Sequence, residues 1–136
     1  MKKTIMKKQI TITKILIHAV VVLIATAVVS SARAATVAYG DFNNDGLMDV
    51  AAITSPTTIT VSLANPDGSY TVSAILTAPG NMPMGDIQLH DSKADGNLDI
   101  LGIGGDKKWI YFHLWLGNGN GTFGTRNTSK LSRRAW

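Results

Sequence analysis

The chain has 136 residues, thirteen Lys and Arg against nine acidic residues, and no cysteine. Its positive formal charge of +4 is concentrated at the start: Lys2, Lys3, Lys7, Lys8, Lys14 and Arg33 all precede residue 35, and without them seven basic residues face nine acidic ones. The remaining hundred or so residues therefore carry a net charge of −2, which argues against nucleic acid as a partner, and they cannot use disulfides to support a small core.

The first quarter reads as a targeting segment. The lysines precede an apolar run from Ile15 to Val29, and Ala32-Arg33-Ala34 then supplies the small-x-small pattern accepted by signal peptidase. A signal peptide over residues 1–34, cleaved after Ala34, is expected. A membrane anchor needs about 20 apolar residues, whereas this run is shorter and contains His18. The mature chain is therefore expected to lack a membrane span, and to be secreted, periplasmic or at the cell surface.

From residue 35 onward the chain repeats. Gly40-Asp-Phe-Asn-Asn-Asp-Gly-Leu-Met-Asp-Val50 returns as His90-Asp-Ser-Lys-Ala-Asp-Gly-Asn-Leu-Asp-Ile100, at an offset of 50. Leu63-Ala-Asn-Pro-Asp-Gly-Ser-Tyr70 returns as Leu116-Gly-Asn-Gly-Asn-Gly-Thr-Phe123, at an offset of 53. The slip of three falls in the Gly102 to Lys108 stretch. These landmarks place a first repeat over 35–85, a second over 86–126, and a polar, basic tail over 127–136.

Between the landmarks the pattern is that of strands. Thr58-Ile-Thr-Val-Ser-Leu63 alternates and is β-branched, and Tyr70 to Leu76 continues in the same manner. Asn65-Pro66-Asp67-Gly68 and Asn118-Gly119-Asn120-Gly121 carry hairpin turn chemistry. In the second repeat Trp109, Tyr111, His113 and Trp115 alternate with Ile110, Phe112, Leu114 and Leu116, so both faces of that strand are apolar. The fold class expected is all-β: two blade-like antiparallel sheets of three or four strands each, following the signal peptide.

All nine acidic residues are Asp, and six of them fall within 41–49 and 91–99. Closely spaced carboxylates repel, and an Asp-x-Asn-x-Asp-Gly-x-x-Asp string on a tight turn offers the alternating hard oxygen ligands that Ca²⁺ requires. In the first loop the assigned ligands are Asp41, Asn43, Asp45, the Leu47 carbonyl and Asp49. An EF-hand would need a bidentate Glu at position twelve, which here is Ala52. In the second loop Asp91, Asp95, Asn97 and Asp99 are the corresponding candidates, but Lys93 stands at the third position. Either that loop binds Ca²⁺ weakly or the Lys93 ammonium replaces the ion.

The strand, Asp-rich loop, strand and Leu-Gly-Asn-Gly-x-Gly-Thr-Phe hairpin resemble the FG-GAP/VCBS repeat of integrin-type β-propellers and bacterial surface proteins. The resemblance spans most of residues 36–126. It implies propeller-blade sheets with structural Ca²⁺ in their loops, in exported proteins engaged in adhesion or attached to enzymes and lectins. Family propellers close with several blades and this sequence holds two. Face-to-face packing of two sheets, self-association, or a truncated propeller are therefore the open arrangements.

Catalysis is not expected. His90 beside Asp91 could be drawn as a base dyad, but its place at a strand end beside an acidic loop fits a packing role better. The expectation is an exported calcium-binding β-repeat protein for surface interaction or adhesion, with an extracellular protein or carbohydrate as ligand. The alternative is a lectin-like module, or an accessory part of an exported enzyme. For a lectin, the Trp109, Tyr111, His113 and Trp115 stripe would be the binding surface if exposed, and scaffold if buried against the other repeat.

Overall fold

The computed structural model describes residues 36–134. The proposed signal peptide and Trp136 lie outside them. Among the described residues every regular element is a strand, as the alternating pattern predicts: β1 (Val37–Gly40), β2 (Asp49–Ser55), β3 (Thr58–Ala64), β4 (Tyr70–Thr77), β5 (Met84–His90), β6 (Asp99–Gly105), β7 (Trp109–Trp115) and β8 (Asn127–Ser132). They form two four-stranded antiparallel sheets, β1-β2-β3-β4 and β5-β6-β7-β8, that do not close into a barrel. Among the described residues no helix is long and apolar enough to cross a membrane.

Residues 127–132 differ from the expected polar tail. They pair along β7, from Leu114↔Asn127 to Trp109↔Ser132, and supply the fourth strand of the second sheet. The apolar content of this segment is low, so pairing with β7 rather than its own pattern orders it; Lys130 also lies over the Trp109 ring, 4.3 Å from its centroid. The second sheet thus extends past residue 126.

The register explains how the sheets meet. On the first sheet Ala51, Ile59, Val61 and Leu76 share one face; on the second, Ile87, Ile100 and Trp115 do so, and all seven are buried in a single core with Phe42 and Met84. At offsets of 50 and 53, the equivalents of Ile87, Ile100 and Trp115 are Val37, Val50 and Ser62, which lie on the opposite face of the first sheet. A two-fold sandwich would bury equivalent faces. Here the sheets are stacked in the same sense, as successive propeller blades are. A backbone bond at one end fastens the stack, Met84 N–H donating to the Pro56 carbonyl (2.6 Å), while Ala78 N–H to the Thr57 carbonyl (2.8 Å) extends the β3–β4 ladder.

Three members of the aromatic stripe are interior. Tyr111, His113 and Trp115 are buried, with the imidazole between the other two rings at centroid distances of 6.4 and 6.0 Å. His113 Nδ1 lies 3.0 Å from Thr128 Oγ1, and Nε2 is buried. Burial pushes the imidazole below its ordinary value of 6.5; an interaction with the Met82 backbone opposes this, and the nearby Arg126 charge adds to the lowering. Below that ordinary value the unfolded chain takes up a proton that the folded chain resists. Stability is therefore full above about pH 6.5 and falls as the pH is lowered towards the folded-state value. Melting temperature should decline between pH 7.5 and 5.5 more steeply for the parent chain than for His113→Leu; equal slopes would remove His113 as the cause.

Candidate functional site

The two Asp-rich loops connect β1 to β2 and β5 to β6, and they share three backbone-to-carboxylate bonds. In the first, Asp41 Oδ1 accepts from Asp45 N–H (3.1 Å) and Oδ2 from Gly46 N–H (2.8 Å), while Asp45 Oδ1 accepts from Leu47 N–H (2.8 Å). In the second, Asp91 accepts from Asp95 and Gly96 N–H (3.0 and 2.8 Å), and Asp95 from Asn97 N–H (3.1 Å). Two left-handed residues wind each loop: Asn44 (φ 60°) and Gly46 (φ 83°) in one, Ala94 (φ 54°) and Gly96 (φ 82°) in the other. Gly carries that conformation without a Cβ clash; Ala94 carries it at a cost.

The ninth residue of each loop has a separate role. Asp49 is wholly buried, with Oδ2 accepting from Phe42 N–H (2.7 Å) and Oδ1 from Ala64 N–H (2.8 Å). Asp99, also wholly buried, accepts from Ser92 N–H (2.9 Å) and Gly117 N–H (2.8 Å). Each carboxylate thus ties the start of its loop to the strand end that leads into the following hairpin. Sequence spacing alone assigns these residues as closing metal ligands, because a ligand and a backbone brace occupy the same position in the motif.

The loops differ at position three. Asn43 Nδ2 donates to Asp45 Oδ2 at 2.8 Å; in the second loop Lys93 Nζ reaches Asp95 Oδ2 at 2.7 Å. The Lys93 ammonium therefore sits where an amide sits in the first loop. The hydrogen bond with Asp95 raises Lys93 above the ordinary ammonium value and lowers Asp95 below the ordinary carboxylate value. Both side chains are well exposed, so the pair contributes little to stability.

The loops also touch each other. Asn44 Nδ2 donates to Asn97 Oδ1 (3.1 Å) and to the Gly119 carbonyl (3.4 Å), crossing from the first repeat to the second. The Asn97 side-chain carbonyl is thereby turned to the neighbouring loop. Gly121 N–H adds a bond to the Phe42 carbonyl (2.9 Å), and the Arg126 guanidinium reaches the Thr77 carbonyl. No sequence signal marks Asn44 for this bridge beyond the tolerance of Asn for a left-handed conformation.

Oxygen donors from Asp41, Asn43 and Asp45 lie within one turn of chain and suit a hard cation in kind. Their oxygens accept from backbone N–H groups or, for Asp45 Oδ2, from the Asn43 amide. Among the described residues no three His or acidic side chains are gathered closely enough to hold an ion. His90, at the exposed end of β5, is opposite Asp99 in the register, and the Asp99 carboxylate is occupied by its two backbone donors.

The span from the first loop through the second loop into β6 corresponds to a known unit. Residues 41–102 match the family model of the FG-GAP-like repeat. No curated protein and no solved structure matches the chain. The FG-GAP-like repeat is a non-catalytic β-repeat module, and its match covers both Asp loops together with the three strands between them and β5.

Two substitutions separate the braces from the loop residues. Asp49→Ala leaves two interior N–H groups without an acceptor and should cost about 2–3 kcal/mol in urea unfolding, whereas Asp45→Ala, at an exposed position, should cost much less in metal-free buffer. Equal losses would mean that Asp49 does not act as a brace. Ala94→Gly relieves a left-handed alanine and should raise the unfolding midpoint by the equivalent of about 1 kcal/mol; a lowered midpoint would contradict strain at Ala94.

Proposed function

We propose that this is an exported calcium-binding β-repeat protein that serves as a surface interaction or adhesion module and has no catalytic activity. The observation that carries the reading is the electrostatic contrast between two loops of equal backbone form. Among the described residues, the second loop has its own cation, Lys93 on Asp95, while the corresponding group in the first loop is the neutral Asn43 amide. The first loop is thus the one with uncompensated carboxylates, and Ca²⁺ is the ion that its oxygen donors suit.

In this reading Asp41, Asn43, Asp45 and the Leu47 carbonyl hold the ion. Asp49 contributes through the second lone pairs of oxygens that already accept backbone N–H groups. The second loop, with Asp91, Asp95, Asn97 and Asp99, binds Ca²⁺ weakly at most, since Lys93 repels it and Asn97 Oδ1 is turned to Asn44. The ion would rigidify the turn between β1 and β2, from which Asn44 reaches the second repeat. Export rests on the lysine-rich apolar segment with its Ala32-Arg33-Ala34 site, and places the protein in the periplasm, at the surface or outside the cell.

The lectin-like alternative loses its main support, because Tyr111, His113 and Trp115 are interior and offer no stacking surface to a sugar. An extracellular protein is the better ligand class.

Thermal unfolding with excess Ca²⁺ and with chelator tests the proposal, together with calorimetric titration for stoichiometry. One site and a marked rise in melting temperature are expected. Asp45→Ala should abolish most of the rise, and Lys93→Asp should create or strengthen a second site. No rise in the parent chain, or unchanged stoichiometry in both variants, would sink the calcium reading.

A further inference from the structure

On the face of the first sheet that is turned away from the core, the register lays out two rows. Val37, Ala52, Thr60 and Ile75 form one, and Tyr39, Val50, Ser62 and Val72 form the other. The exposed members stand on the edge strands β1 and β4: Val37 (39% exposed), Tyr39 (63%), Val72 (58%) and Ile75 (67%). The half-buried members between them, on β2 and β3, are none of them longer than valine. Apart from Asp49, which is wholly buried, strands β1 to β4 contain no charged residue. Isolated surface hydrophobes need no explanation, but a continuous uncharged sheet face marks an interaction surface.

This face fits the same face of a second copy. Two copies present it equally open, and stacking them buries no charge. Twist carries the corners of two stacked sheets apart, so that longer side chains belong on the edge strands and shorter ones at the centre; the two rows have that profile. Strands about 4.8 Å apart, rising about 3.3 Å per residue, make a four-stranded face of roughly 20 by 22 Å. Two such faces, with the relief of their side chains added, reach about the 1,000 Å² at which specific association begins. The expected contact is therefore a weak dimer that forms with concentration.

We propose that the chain forms a two-fold dimer through this face, sheet on sheet, with the axis running across the strands between the two rows. Each row then lies over the other row of the partner copy: Ile75 meets the partner's Val72, Val37 meets the partner's Tyr39, and the short side chains of β2 and β3 meet between them. Charge sets the direction of the axis. Asp41 and Asp45 in the β1–β2 loop and Asp67 in the β3–β4 hairpin lie at one end of the sheet, with the second Asp loop joined to them through Asn44 and Asn97. An axis across the strands carries the two sets of carboxylates to opposite ends of the dimer, whereas an axis along the strands would bring like charges together. The contact is isologous, so assembly stops at two chains. It is made by strand residues and not by the Asp loops, and so does not rest on calcium binding.

Sedimentation velocity of the full chain over a concentration series, with chelator present, tests this. Monomer and dimer are expected, with the dimer fraction rising with concentration and no larger species. Ile75→Asp and Val72→Lys each place a charge at an exposed position, so each variant should keep the parent's melting temperature when dilute and remain monomeric over the whole series. When the two variants are mixed, the introduced charges face each other across the axis, and a one-to-one dimer that weakens with added salt should form. A parent chain that stays monomeric throughout, assembly beyond two chains, or an Ile75→Asp variant that pairs as the parent does overturns the proposal. A mixture of the two folded variants that stays monomeric overturns the antiparallel register, and with it the proposal.

Discussion

A buried carboxylate satisfied by two backbone N–H groups is the constraint on which each repeat depends. Burying a charge is expensive unless its hydrogen-bonding capacity is met. Asp49 and Asp99 meet it with four N–H groups drawn from positions distant in sequence, Phe42 and Ala64 for one, Ser92 and Gly117 for the other. Because charge-assisted bonds of this kind are strong and directional, they hold the beginning of the loop against the end of the second hairpin strand. The loop then has a defined span to cross, and its left-handed residues and Asp41-type turn bonds complete the crossing.

Position three shows how little the winding depends on the charge it encloses. The same backbone bonds form over an amide at Asn43 and over an ammonium at Lys93. Loop shape is set by carboxylates accepting from backbone N–H groups, and by residues tolerant of positive φ. The side chain at position three then sets the electrostatics inside that shape. This division lets the second repeat carry an ammonium at that position and the first an amide, with no change in how the sheets are framed.

Much of this architecture was legible in the sequence. Alternating β-branched runs located β3 and β4, the Asn/Gly turns located their connections, and the offsets of 50 and 53 established two copies of one unit. What escaped was tertiary in origin. Asn127 to Lys130 has no apolar alternation, and β8 exists because β7 offers it a partner edge. The brace role of Asp49 escaped because spacing cannot distinguish an inward carboxylate from a loop-facing one. The Asn44 to Asn97 bridge joins residues 53 apart and needs the sheets already stacked. The sense of that stacking was equally hidden, since β7 is apolar on both faces and either could have met the first sheet.

Every strand in each sheet pairs with its immediate neighbour in the chain, with no crossover in either. Ordering a hairpin closes only a short loop, and the entropy of closure rises with the length enclosed. Each sheet can therefore assemble from local encounters, leaving the meeting of the two sheets as the step that joins distant parts of the chain. Newly emerging chain would complete β1 to β4 before β5 exists, with the apolar face destined for Ile100 and Trp115 briefly uncovered. The short Ala78 to Pro83 connection limits how far the second sheet can stray during that interval, and so acts as a tether that favours the chain's own partner over a neighbour's.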